Sequence, residues 1–185
     1  MDKKLAEQQI SSKKIFEGQI LKLFIDHVKL PNGKNATREK ISHPGAVGIV
    51  PVTDDGNILL VRQYRYPVDD ITIEIPAGKI DSQEEPEKCA RRELAEEVGA
   101  INGDLKLLSS FYTTPGFCDE ILHLYIATGF KVSDNNLDED EFLDIISIKL
   151  KEAVKWITDG RIMDSKTIIG ILMAMNILNN GNKKH

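Results

Sequence analysis

Cysteine is scarce in this chain of 185 residues. Cys89 and Cys118 are the only two, and no CxxC spacing joins them. That excludes a disulfide-stapled scaffold and a thiolate zinc cage, and reads as two idle thiols in a reducing compartment. A basic excess is also missing: 24 Lys and Arg stand against 29 Asp and Glu, a net charge of -5. A duplex nucleic-acid binder normally carries a basic face, so that class is disfavoured. No window is long and apolar enough to span a bilayer, and the polar opening MDKKLAEQQISSKK has no apolar leader core, which predicts a cytoplasmic protein. His27, His43, His123 and His185 show no metal-ligand spacing. There is no internal repeat or low-complexity tract. What remains is ordinary for a globular protein, 41% hydrophobic and 29% charged, and long enough to bury a sizeable core.

The most informative stretch is GKIDSQEEPEKCARRELAEEVGA, from Gly78 to Ala100. Ser82 with Glu85 has the form of a capping box, Pro86 suits a first helical turn, and Gly99 suits the end, so a helix is expected from Pro86. At about 100° per residue, Ala90, Leu94 and Val98 form an apolar stripe, with Glu93 and Glu97 beside it and Glu96 further round. Like charges one turn apart repel by a few tenths of a kcal/mol, so the row has no structural benefit of its own. A hard divalent cation with oxygen ligands, such as Mg²⁺, would reverse that sign. Arg92 can reach Glu96 at i+4 or orient a loop carboxylate such as Glu84. A solvated acidic face is the other reading of such a row.

The whole pattern decides between them. Glycine, five residues, Glu84, seven residues, Arg92-Glu93-Leu94, one residue, Glu96-Glu97, one residue and Gly99 matches the Nudix box position for position. The stretch therefore resembles the Nudix hydrolases, which cleave nucleoside diphosphates linked to a further moiety using Mg²⁺ or Mn²⁺.

Taken in order, the chain first offers IFEGQILKLFIDHVKL, which alternates as strands do, and LPNGK, a turn signal. These predict a small antiparallel sheet in residues 1–43, ahead of a hydrolase domain in 44–185. AVGIVPVT and NILLVRQYRY, separated by DDG, predict a hairpin that opens the core as a meander. ITIEIPAG reads as one strand leading into the box. Residues 105–112 and 121–130 read as strands around TTPGFCDE, IISIKL as a last strand, LKEAVKWITDG as a helix, and Ser165 to Asn180 as a closing helix with Gly181 beyond it. The order fits an α/β/α sandwich around a mixed sheet, the fold that the resemblance also implies.

Beyond the box, GAVGIVPVTDDGNILLVRQYRYP with EIPAGKID, SSFYTTPGFCDE and WITDGRIMDSKTIIGILMA resemble the ADP-ribose pyrophosphatase branch, whose marker is a proline such as Pro115, sixteen positions after Gly99. The resemblance implies that the Ala77 carbonyl, Glu93 and Glu97 bind metal, with Glu96 a further ligand or a group that supports the ligands. It implies a substrate-binding role for Arg65, whose guanidinium fork also suits a diphosphate on chemical grounds; an outward strand residue is the plainer reading. Lys79 in the box falls among the substrate-binding candidates. Thr114, Pro115, Gly116 and Glu120 match a turn that contacts the terminal ribose, Arg38 and Glu39 a substrate-contacting pair, and Phe16 a residue that stacks on adenine. The general base of the branch lies on a loop, here LDEDEF, leaving Glu139 and Glu141 as candidates, with Glu139 preferred. The implied reaction is attack of water on the pyrophosphate of ADP-ribose, giving AMP and ribose 5-phosphate. A nucleotide sugar such as GDP-mannose, or a non-catalytic ADP-ribose-binding module, are the alternatives. The resemblance also implies a homodimer, since the strand-rich residues 13–43 are too few to hold a core of their own.

Overall fold

The computed structural model describes residues 4–133 and 142–181. The chain divides into two compact units, Met1–Gly45 with Tyr112–Ile121, and Ala46–Phe111 with Leu122–His185.

In the first unit, β1 (Gln8–Glu17), β2 (Lys22–Lys29) and β3 (Asn35–Ser42) form an antiparallel sheet with β2 central. Asn32 and Gly33 make the second turn: Gly33 takes φ 84°, and the Asn32 carboxamide accepts the Lys34 N–H at 3.0 Å. This is the turn chemistry expected of LPNGK. β1 is exposed along its whole length and carries two register irregularities, at Gln9/Ser11 and Lys14/Phe16. The turn Thr113–Glu120 is sewn to the end of β3. The Ile41 N–H donates to the Phe117 carbonyl, the Asp119 N–H to the Ile41 carbonyl, and the His43 N–H to the Asp119 carboxylate.

The second unit is an α/β/α sandwich, and the period-2 alternation of its strands explains why. In β4 (Ala46–Pro51), β5 (Asn57–Arg65) and β10 (Ile121–Thr128), one set of side chains, Val50, Ile58, Leu60, Leu122, Leu124 and Ile126, packs with α2 (Leu150–Thr158) and α3 (Ser165–Gly181). The alternate set, Val47, Ile49, Leu59, Val61, Tyr125 and Ala127, packs with Ala90, Leu94 and Val98 of α1 (Pro86–Val98). Both faces are apolar, so both are covered. Each such aliphatic side chain contributes roughly 1.5–3 kcal/mol on burial. A Cβ at Gly170 would lie 2.8 Å from Val50, so glycine lets α3 approach β4.

The strands run β7-β4-β10-β9 in a mixed sheet, with β7 (Ala77–Lys79) and β9 (Asp104–Tyr112) at its edges, and β12-β5-β6 in an antiparallel one, with β12 (Leu143–Lys149) and β6 (Asp70–Glu74) outside. A two-residue pair joins β8 (Ala100–Ile101) to β11 (Lys131–Val132).

Two local expectations are corrected. The DDG turn forms, with Gly56 at φ 77° and a Val52–Ile58 bridge, but β4 and β5 then diverge into different sheets, so the core does not open as a meander. ITIEIPAG is two strands: Pro76 has no N–H to continue a ladder, and the chain passes there from the β5 sheet to the β4 sheet.

Candidate active site

The loop and helix from Gly78 to Gly99 bring the acidic row to the start of β7. Pro86 is the first helical residue, and Gly99 closes α1 in the left-handed region at φ 65°, donating its N–H to the Ala95 carbonyl. The capping box is not formed. Glu85 occupies the cap with no side-chain bond, because Glu84 turns back to accept the Asp81 N–H and the Arg92 guanidinium instead.

Glu93 and Glu97 are buried, at 8% and 3% exposure, although they sit on a helix bordering solvent-exposed residues. Glu97 accepts the Ala77 N–H at 3.1 Å. Glu93 lies flat against Gly78: a Cβ there would fall 1.9 Å from its carboxyl carbon, so only glycine fits. The row is thereby clamped onto the Ala77-Gly78 backbone. Arg92 donates to Glu84 at 3.1 Å, Glu93 at 2.7 Å and Glu96 at 3.0 Å, so both partners expected for it from spacing are met at once. It holds the Glu84 carboxyl at about 2, and these carboxylates, Glu84 first, raise its own affinity for its proton. One guanidinium is shared among three carboxylates.

The row offers buried or half-buried carboxylate oxygens, the ligand type that suits a hard divalent ion. Among the described residues, no three His, Cys, Asp or Glu side chains form a ready-made cage. An ion here would need water and substrate oxygens to complete its shell, as Mg²⁺ usually does. Cys89 is no rival ligand: burial pushes its thiol up to about 12, and it is a free cysteine on the buried face of α1.

Arg65 is not free. At the end of β5 it forks onto Glu74, from Nε at 2.8 Å and Nη2 at 2.7 Å. Lys79 lies 3.9 Å from Asp81. The remaining candidates belong to the first unit. Phe16 is 56% exposed; Arg38 donates from Nε to Glu7 at 3.0 Å; Glu39 is exposed. In the turn, the Thr114 carbonyl accepts from Phe117 and Cys118, Pro115 and Gly116 are exposed, and Glu120 accepts the Thr113 hydroxyl at 2.6 Å. Glu139 and Glu141 lie outside the described residues. Sequence reasoning passed over Glu74 and Lys166; the signal available for Glu74 was a carboxylate set among the isoleucines of ITIEIP.

A family model for the NUDIX domain matches residues 42–166. The chain belongs to the Nudix family. Nudix hydrolases use divalent metal ions, in keeping with the donor set above. The chain is 46% identical over 173 residues to a methanol dehydrogenase activator of Bacillus methanolicus, covering 92% of this chain and 94% of that one. It is 43% identical over 171 residues to an ADP-ribose pyrophosphatase of Bacillus subtilis, covering 91% and 92%. A crystal structure of an ADP compounds hydrolase superposes with TM-score 0.85 over 96% of this chain and 97% of that chain, at 20% identity, which shows the shared Nudix fold. No helix among the described residues is long and apolar enough to cross a membrane.

Proposed function

We propose that this Nudix hydrolase cleaves the pyrophosphate of ADP-ribose to AMP and ribose 5-phosphate with Mg²⁺ as cofactor. The observation that carries the substrate is the 43% identity, over nine-tenths of the chain, to a protein named for that activity. The clamp of Glu93 and Glu97 on Ala77-Gly78 supports the chemistry. These two carboxylates and the Ala77 carbonyl, with Glu96, would hold the ion. Bound there, Mg²⁺ supplies polarisation of the phosphoryl oxygens and activation of water. Arg92 braces the row through Glu84, Glu93 and Glu96, and Arg65 offers the diphosphate a cation on the neighbouring sheet. Glu139 or Glu141, Glu139 by preference, orients the attacking water.

Phe16, Arg38, Glu39 and the turn from Thr114 to Glu120 take the adenine and terminal ribose in this reading, with Lys79 near the phosphates. The N-terminal segment 1–43 contributes Phe16, Arg38 and Glu39 across a homodimer interface, and the cytoplasm is the compartment. Support for the dimer comes from the exposed apolar residues Ile10, Ile15, Phe16 and Ile20 on or beside β1. Light scattering should give about twice the 20.7 kDa chain mass, and mixing Arg38→Ala with Glu97→Gln subunits should restore activity. A fully active monomer would remove the dimer from the account.

The activity is tested by a Mg²⁺-dependent hydrolysis screen across ADP-ribose, GDP-mannose, dinucleoside polyphosphates and nucleoside triphosphates. ADP-ribose should give the highest kcat/KM. Because one relative is named as a methanol dehydrogenase activator, a methanol dehydrogenase belongs in the same screen. Stimulation of it without ADP-ribose turnover would favour that second reading.

A further inference from the structure

One cluster in the hydrolase unit is larger than its structural task requires. Glu74 is 3% exposed and accepts the Arg65 fork, the Thr72 hydroxyl at 2.5 Å and the Lys166 ammonium. A buried carboxylate needs compensation, and a bidentate arginine already supplies it. Lys166 is a second cation on the same group. Its ammonium also reaches Asp164 at 3.1 Å, through the oxygen that accepts the Thr167 N–H in the first turn of α3. Ordering and half-burying a lysine costs rotamer entropy and hydration.

Both cations open onto a cavity of about 560 Å³, whose wall also includes Thr72, Glu74, Met163 and Asp164. Backbone ties this cavity to the acidic row. After Glu74, the Ile75 N–H donates to the Thr167 hydroxyl at 2.8 Å, the Pro76 carbonyl accepts the Ile49 N–H at 2.8 Å, and the Ala77 N–H donates to Glu97. Three residues span at most about 11 Å even when fully extended. The acidic row and the Arg65–Lys166 pair are therefore held at the two ends of one short backbone segment, the placement that a site for a diphosphate needs.

We propose that Lys166 joins Arg65 as a second phosphate-binding cation, and that Glu74 is the positioning residue that fixes the two at the cavity mouth. This rests on the chain acting on a diphosphate. A guanidinium fork and a point-like ammonium, held by one shared carboxylate, present donors from two directions to a tetrahedral anion.

Lys166→Met should raise the KM for ADP-ribose about tenfold or more, while kcat stays within about threefold, the signature of lost uniform binding. Lys166→Arg, which keeps the cation, should recover most of that loss. Glu74→Gln should also raise KM, and the double variant with Lys166→Met should cost less than the product of the single effects, because both act on one cluster. ADP affinity by calorimetry in Mg²⁺ should weaken by the same factor as KM. If Lys166→Met does not fold, acetylation of the wild-type lysines read by mass spectrometry decides instead: ADP should protect Lys166. Unchanged KM and ADP affinity in a folded Lys166→Met, equal acetylation with and without ADP, or a wild type that does not bind ADP, would each overturn the inference. Should wild type bind ADP yet leave ADP-ribose intact, the substrate reading fails alone, and the ADP affinities still decide the role of Lys166.

Discussion

Two sets of buried carboxylates in the hydrolase unit use the same side chain in opposite ways. Glu74 is surrounded by cations: burial pushes its carboxyl up, but hydrogen bonds from Arg65 and Lys166 outweigh that and leave it at about 2. Its capacity as an acceptor is spent on holding Arg65, Lys166 and Thr72. The row on α1 has the reverse balance. There one guanidinium, Arg92, serves Glu84, Glu93 and Glu96, while Glu93 and Glu97 are pinned against backbone at Gly78 and Ala77. A carboxylate enclosed by cations positions them, whereas carboxylates that outnumber their cation and are held by backbone are prepared to receive one. The first set should set how tightly substrate binds, and the second how fast it reacts.

The largest effect should come from the row itself. Glu97→Gln and Glu93→Gln should each lower kcat about 10²-fold or more, as loss of a charge-stabilising group in a site usually does. The thermal midpoint of Glu97→Gln should move little, since the carboxamide oxygen can still accept the Ala77 N–H. A variant keeping over half of wild-type kcat at saturating Mg²⁺ would break the comparison. Next is Gly78→Ala, whose methyl group would displace the Glu93 carboxylate without touching its charge. Misplacement by about 1 Å can cost up to about 10²-fold, so kcat should fall at least tenfold and an unchanged rate would show that the clamp is idle. Glu139→Gln and Glu141→Gln should lower kcat unequally with little change in KM, which steady-state kinetics will read. Wild-type rates in both and in the double variant would place the base elsewhere.

A smaller effect should appear in stability. The folded Glu74 carboxyl titrates at about 2, below its ordinary value of 4.5, so its contribution is fully present above about pH 4.5 and is lost as pH falls toward 2. That contribution is at most about 3 kcal/mol. Denaturant titrations should therefore show wild type losing more stability than Glu74→Gln between pH 5 and pH 3, and parallel losses would contradict the ion-pair description. The smallest effect is expected of Cys89→Ser, since the buried thiol faces no substrate and its Sγ–H bond to the Lys79 carbonyl can be kept by a hydroxyl; kcat/KM should stay within about twofold.

The two sets also differ in how far they could be read from the residue order. The row was legible because helical spacing is local: once Pro86 and Gly99 bound the helix, Glu93, Glu96 and Glu97 follow from rotation alone, and the reach of Arg92 to Glu96 follows with them. The sandwich was legible for a similar reason, since the unbroken apolar runs AVGIVP and NILLV mark strands buried on both faces. The cation cluster was not. Glu74 and Lys166 are 92 positions apart and meet only because α3 begins beside the end of β6, which no local pattern encodes. The meander failed on the same ground. DDG specifies a turn, but nothing within it decides whether β4 and β5 stay paired after the first bridge.

The central claim is metal-dependent cleavage of a diphosphate, and ³¹P NMR of ADP-ribose incubated with the full chain tests it most directly. In Mg²⁺ the two coupled diphosphate resonances should be replaced by two monophosphate resonances, from AMP and ribose 5-phosphate, and excess EDTA should stop the change. Diphosphate resonances that persist in Mg²⁺, or that vanish equally in EDTA, would contradict the account.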